Sequence, residues 1–210
     1  NASPLGVAPN RVNLGVASGV IPGVGLSRTL PPVLPPNFLS RKSILQDVAI
    51  DLPGLTLISA PAGFGKSSLV AEFLANSRYP VIWYTAVESD RTAELNAHLL
   101  QAIRNIEPTF ATWYSGSEDL TAPDLLSKIL GELANLKKHF ILVVDSNRTE
   151  IAGDEKTVSK FLALLPQNIH AIAIRRSTPT TSYSSFTTFP NFRLFGLNEL
   201  KLTREEIMKI

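Results

Sequence analysis

The chain has 210 residues, enough for one large α/β domain or two small ones. Its residues are 44% hydrophobic and 18% charged, and its formal net charge is +2, with Lys and Arg spread along the chain; this is an ordinary globular composition with no basic block demanding nucleic-acid contact. The absence of cysteine excludes a disulfide framework, a thiolate metal site and a cysteine nucleophile, and makes a reducing, cytoplasmic setting the expectation.

Residues 1–36 are rich in Pro and Gly, end in Pro31-Pro32-Val33-Leu34-Pro35-Pro36, and follow neither a period of 2 nor one of 3.6. They read as an extended arm or linker whose apolar content suits it to lie along a surface. The apolar stretch over residues 5–26 is broken by Gly, Pro and Asn, and no run of about 18 apolar residues reads as a membrane span. Leu39, Ile44, Leu45 and Val48 then predict a short helix, and Leu55-Thr56-Leu57-Ile58-Ser59 a buried strand. Leu69, Val70, Phe73 and Leu74 recur at helical spacing after Lys66, and Asn76 and Pro80 close that helix.

Val81-Ile82-Trp83-Tyr84-Thr85 reads as a second strand, residues 93–106 as a helix, and residues 122–136 as another. Phe140-Ile141-Leu142-Val143-Val144 is the most apolar strand and runs into Asp145. A helix over residues 158–165, a strand Ala171-Ile172-Ala173-Ile174, a strand around Phe192-Arg193-Leu194 and a helix from residue 203 to 210 complete the series. Short apolar strands alternating with helices predict an α/β fold, a parallel sheet covered on both faces. The boundaries expected are an arm over 1–36, a main domain over 37–200, and the start of a further helical subdomain over 201–210.

Between the first strand and its helix stands Ala60-Pro61-Ala62-Gly63-Phe64-Gly65-Lys66-Ser67, followed by Ser68. Phosphate recognition needs several backbone N–H groups converging on one point, and Gly63 and Gly65 give the chain freedom to turn without a side chain in the way. Lys66 can reach the β and γ phosphates of a nucleotide, and the Ser67 hydroxyl can ligate magnesium. The general signature G-x-x-x-x-G-K-[ST] is met except that Ala60 stands in the first glycine position. A buried strand before and an amphipathic helix after are the context of a P-loop NTPase, with ATP or ADP and Mg2+ as the expected ligands.

Such a site also takes an acid near the metal, usually at the end of a neighbouring buried strand, and Asp145, at the end of an apolar strand, is the candidate metal-side and catalytic acid beside Lys66. The following Ser146 offers no second carboxylate to activate water, so at most slow ATP hydrolysis is expected. Glu150, Asp154 and Glu155 read as solvated surface acids. Arg175 and Arg176 follow a strand at the edge where the loop opens; they read either as a γ-phosphate sensor or as a solvent-facing pair.

These segments resemble the nucleotide-binding domain of the STAND class of signalling ATPases, in the branch of MalT-type, large LuxR-family bacterial transcription regulators. The resemblance runs over residues 29–210: Thr29-Leu30-Pro31-Pro32 ahead of Leu39-Ser40-Arg41, the phosphate loop from Leu57 to Leu69 with its Ala60, Trp83 followed by Asp90, Leu164-Leu165-Pro166, Arg176-Ser177-Thr178-Pro179, and the stretch from Phe195 to Glu206. It departs at Asp145-Ser146-Asn147-Arg148, where the family usually has two acids and then an aromatic residue. The resemblance implies Arg176 as the sensor, and Arg41 at the base or ribose unless it is a salt-bridged surface arginine. It also implies a switch in which ADP holds an inactive form and ATP with an inducer permits self-association. DNA contact is expected only through regions outside these 210 residues, and no membrane contact is expected.

Trp83 and Tyr84 read as core or as a base-stacking platform. His98, His139 and His170 have no ligand spacing, and Ser182, Ser184 and Ser185 lack a visible catalytic partner. A small-molecule kinase is a competing reading, but no arginine-bearing lid is visible. An ATP-dependent defence or scaffold protein is the other.

Overall fold

The computed structural model describes residues 21, 23–87, 90–146, 161–176 and 183–208. Among them, β1 (Gly54–Ser59), β2 (Val81–Ala86), β3 (Phe140–Ser146), β4 (Ile169–Arg175) and β5 (Arg193–Phe195) form one sheet in the order β2-β3-β4-β1-β5, with every pair parallel. The helices are α1 (Lys66–Leu74), α2 (Thr92–Arg104), α3 (Ala122–Asn135) and two short ones, α4 (Leu197–Leu200) and α5 (Arg204–Ile207).

Parallel strands need crossovers, and crossovers cover both faces of the sheet, which explains why the strands are apolar almost without a break. Alternate residues of β3 divide between the faces. Phe140 and Leu142 meet Leu99, Leu100 and Ile103 of α2 and Ile129 and Leu133 of α3, while Ile141 and Val143 join Leu69, Val70 and Leu74 of α1. Under residues 161–163, which are helical, Leu55 and Leu57 of β1 pack with Ala171 and Ala173 of β4, Leu162 and Phe186. Trp83 and Tyr84 are both buried, and Trp83 packs among the α1-face residues, so it belongs to the core and is no exposed stacking platform.

Several boundaries differ from the sequence expectation, three of them for a visible reason. The helix expected around residues 39–48 is a 3-10 turn, Lys42–Leu45, closed by bonds from Ile44 N to Arg41 O at 3.0 Å and from Gln46 N to Ser43 O at 3.3 Å. Its two buried anchors, Leu45 and Val48, are three residues apart, a spacing that a 3-10 turn satisfies as well as an α-helix does. β3 runs on through Asp145 and Ser146 because β2 continues beside it, pairing Thr85 with Asp145 and Ala86 with Ser146. β4 starts earlier than its apolar run because His170 is buried with both ring nitrogens engaged, 2.9 Å from Thr56 Oγ1 and 2.8 Å from Leu52 O. Residues 158–160, 177–182 and 209–210, and Asn147, Arg148, Glu150, Asp154 and Glu155, lie outside the described residues.

Residues 26–30 lie across β2 and α2. Leu26–Thr29 forms a 3-10 turn, Arg28 Nε donates to Thr85 O at 2.9 Å and pairs with Asp90, and buried Thr29 accepts from Asn105 Nδ2 at 2.9 Å. Asp90 also accepts from Tyr84 Oη at 2.5 Å and from Val87 N at 2.8 Å. No helix among the described residues is long and apolar enough to cross a membrane.

Because Trp83 is sealed in the core and reaches only Thr85 Oγ1 with its indole N–H, at 3.1 Å, Trp83→Ala should act on stability alone. Urea unfolding should register a loss of about 3–5 kcal/mol, while ligand affinity per folded molecule stays as in the parent chain.

Candidate functional site

β1 delivers the chain to the loop at Ser59, and α1 takes it up at Lys66. In between, Gly63 has φ +86° and Gly65 φ +67°, both in the left-handed region. A Cβ added to either would meet no protein atom within 4 Å, so glycine is selected by the backbone conformation and not by crowding. Gly65 is the N-cap of α1 and provides no side-chain cap, so no side-chain cap bonds the first-turn N–H groups of Lys66, Ser67 and Ser68, a donor set that could meet an anion.

Lys66 is only 8% exposed, and its Nζ donates to Pro61 O at 2.7 Å across its own loop. Burial lowers its pKa; Asp145 works against that shift and Arg176 adds to it. Asp145 is 6% exposed. Burial raises its pKa, opposed by a hydrogen bond from the Ser67 hydroxyl and by the charges of Lys66 and Arg176. A lysine, an acid, a hydroxyl and an arginine from three points of the chain therefore converge at the carboxyl ends of the strands.

The strand order corrects one detail. Asp145 was expected on a strand next to the loop-bearing one, yet β4 stands between β3 and β1. The acid reaches the start of α1 from the next strand but one, from the carboxyl end of β3, where it is the last residue paired with β4. Arg176, directly after β4, comes from the intervening strand.

Two cavities meet at the loop. A small polar one of about 150 Å³ is lined by Ala62, Gly63, Gly65, Lys66, Ser67, Ser68, Asp145, Ser146 and Arg176. A larger, mostly apolar one of about 590 Å³ is lined by Gly63, Phe64, Gly65 and Leu69, by Pro35, Asn37, Phe38, Leu39 and Arg41, and by Leu200, Lys201, Leu202 and Ile207. Gly63 and Gly65 line both, so a polar and an apolar cavity adjoin across the loop. Ala60 is fully buried beneath the loop and packs with Leu69, Val70 and Ile174, where a methyl group contributes to the core.

Sequence reasoning named the polar end but missed Phe38, Leu39, Leu200, Leu202 and Ile207. Their signal was faint: short apolar stretches on either side of the domain, with no period to link them. Arg41 does lie at the apolar end, but its guanidinium is turned to the chain. Nε donates to Glu206 Oε1 at 2.8 Å, Nη1 to Leu200 O at 2.9 Å and Nη2 to Lys201 O at 3.1 Å.

Magnesium suits the polar end. This ion keeps several waters and takes only one or two protein oxygens beside phosphates, a demand that one hydroxyl and one carboxylate meet. No cluster of three or more metal-ligating His, Cys, Asp or Glu side chains occurs among the described residues, so an all-protein cage is not what this site offers.

The chain is similar to known regulators and, in fold, to a solved structure. Over 161 residues, 72% of this chain, it is 29% identical to the HTH-type transcriptional regulator MalT of Yersinia pestis (strain Pestoides F). Over 194 residues, 83% of the chain, it is 27% identical to the MalT of Yersinia enterocolitica serotype O:8. The chain spans only 17% and 21% of the length of these relatives. The crystal structure of Cdc6p from Pyrobaculum aerophilum superposes with a TM-score of 0.51 at 10% identity, covering 82% of this chain and 49% of that one, and shares its fold. No family model matches the chain.

Burial of the Asp145 carboxylate has a measurable consequence. Its folded-state pKa lies above the unfolded value, so ionisation disfavours the folded state, and that loss sets in as pH rises above about 3.9 and is complete beyond the folded-state pKa. Asp145→Asn, which keeps the shape, should therefore raise the melting temperature of the ligand-free chain at neutral pH but not at pH 3. Each kcal/mol relieved should appear as about 2–4 °C. A lower melting temperature at pH 7 would mean that the carboxylate stabilises the fold.

Proposed function

We propose that this chain, a P-loop NTPase domain of the MalT type, binds ATP and ADP with magnesium and serves as the nucleotide-dependent switch module of a transcription regulator. The observation that carries this reading is the adjoining pair of cavities, taken together as one two-ended groove. A nucleoside polyphosphate is itself two-ended, and the loop with Gly63 and Gly65, which would hold its phosphates, lines both the polar and the apolar cavity. Residues 37–200 would form the nucleotide-binding domain, with residues 1–36 as an arm and 201–210 as the start of a further helical part.

In this reading the N–H groups at the start of α1 receive the β phosphate, and Lys66 exchanges Pro61 O for a phosphate oxygen. Ser67 and Asp145 hold magnesium, which neutralises phosphate charge. The phosphates also relieve the crowding of Lys66 with Arg176 by adding negative charge to a buried, cation-rich pocket. Hydrolysis is slow because Ser146, beside Asp145, has no carboxylate to take a proton from water. Switching follows from a difference in affinity: a state with more contacts to the γ phosphate is favoured by ATP and not by ADP. Self-association on ATP binding and a cytoplasmic setting complete the proposal, with DNA contacts assigned to other regions of a longer regulator.

Two outcomes test it. Saturating ADP or ATP with magnesium at about a hundred times the dissociation constant should stabilise the chain by roughly 2.7 kcal/mol, and Lys66→Ala should abolish that thermal shift while remaining folded by circular dichroism. A shift that survives the substitution would move the phosphates elsewhere. For the sensor, Arg176→Ala should cost ATP affinity about 1.5–3 kcal/mol and ADP affinity far less in calorimetric titrations. Equal losses for both nucleotides would remove Arg176 from the γ-phosphate role.

A further inference from the structure

Arg41 stands just before the 3-10 turn Lys42–Leu45 and is tied at both ends. Its backbone N–H donates to Glu72 Oε2 on α1 at 2.9 Å, which fixes it to the helix that begins at the phosphate loop. Its side chain, only 10% exposed, gives all three guanidinium nitrogens to the segment that runs from the end of α4 to α5. Glu206, the acid of that group, is at the same time the N3 residue of the capping box of α5, with its Oε2 accepting from Thr203 N at 2.7 Å. One carboxylate therefore joins the arginine to the start of α5.

This segment forms one wall of the apolar cavity through Leu200, Leu202 and Ile207, facing Phe38 and Leu39. Leu202 is 40% and Ile207 57% exposed, and neither Leu202 nor Ile207 belongs to the buried core. Leu200, 1% exposed, anchors the start of this wall in the core; beyond it apolar burial is weak, and the arginine fork supplies the directional bonds. We infer that Arg41 is a positioning residue that docks residues 201–207 against α1, so that the base end of the groove is complete only while the Arg41–Glu206 clasp is closed. This rests on the nucleotide reading of the groove. It gives Arg41 a task different from touching base or ribose, since its donors are already engaged. It also makes the placement of whatever follows α5 a determinant of nucleotide affinity, and, by linkage, makes the bound nucleotide a determinant of that placement.

The test uses the full 210-residue chain with two probes, ATP and inorganic tripolyphosphate, both with magnesium, and follows hydrogen exchange of residues 197–208 without ligand. Arg41→Ala should weaken ATP by about tenfold or more, leave tripolyphosphate within about twofold, and speed exchange in that segment. Arg41→Lys, which can keep the ion pair but not the fork, should fall between. Glu206→Gln keeps the helix cap and loses the charge; it should weaken ATP by a smaller factor, and the double variant with Arg41→Ala should be no worse than Arg41→Ala alone. Unchanged ATP affinity, unchanged exchange, or equal losses for ATP and tripolyphosphate would overturn the inference. So would a Glu206→Gln variant that matches wild type while Arg41→Ala loses ATP, because Arg41 would then touch the nucleotide itself. Wild-type protein that takes up neither probe would overturn the nucleotide reading first, and the clasp's part in affinity with it; exchange in Arg41→Ala would still report separately on the clasp.

Discussion

The left-handed turn at Gly63 and Gly65 is the constraint from which the rest of the site follows. It lets the chain leave β1 and enter α1 with no side-chain cap on the helix's N-terminal N–H groups. Had the loop closed with a serine or aspartate cap, some of those donors would have been satisfied locally and fewer would be left to meet an anion. With glycine in that position, Lys66 and Ser67 fall on the first turn, where the ends of β3 and β4 bring Asp145 and Arg176 to meet them.

Electrostatically, the polar end is poised and not relaxed. Burial of Asp145 disfavours its charge, against the Ser67 hydroxyl and the neighbouring cations that favour it, while Lys66 is buried and bonds its own loop. A structural ion pair would give each charge a full set of partners; here each has a partner that a phosphate or a metal ion can replace. On the proposed reading, that arrangement suits an anionic, metal-bearing ligand. At the other end the material is different: rings and aliphatic side chains from distant parts of the chain, joined by the clasp of Arg41 and Glu206.

How much of this was legible in the sequence follows from how local each requirement is. The loop could be read because glycine pairs, lysine and serine at fixed spacing between a strand and a helix are a local demand on the backbone. The strands of the sheet could be read because two covered faces leave a continuous apolar run, as in Phe140-Ile141-Leu142-Val143-Val144. Their order could not, since nothing in β4 itself says that it inserts between β1 and β3. His170 hid the start of β4 because a histidine looks polar until Thr56 and Leu52 are seen to satisfy it. The apolar cavity was the least legible part: its walls are 165 residues apart along the chain where Arg41 meets Glu206, and neither wall has a periodicity that points to the other. The departure from the general loop signature at Ala60 has a structural reason, because that residue faces the core and not the groove.

The central claim is that one groove holds one nucleotide, phosphates at α1 and base at the apolar end. A crystal structure of the chain with ADP and magnesium tests it most directly. The account predicts the diphosphate against the backbone N–H groups of residues 65–68, with Lys66 Nζ within about 3.2 Å of a phosphate oxygen and the adenine lodged between Phe38 and Leu202. An adenine turned out to solvent, or a diphosphate bound away from the start of α1, would contradict it.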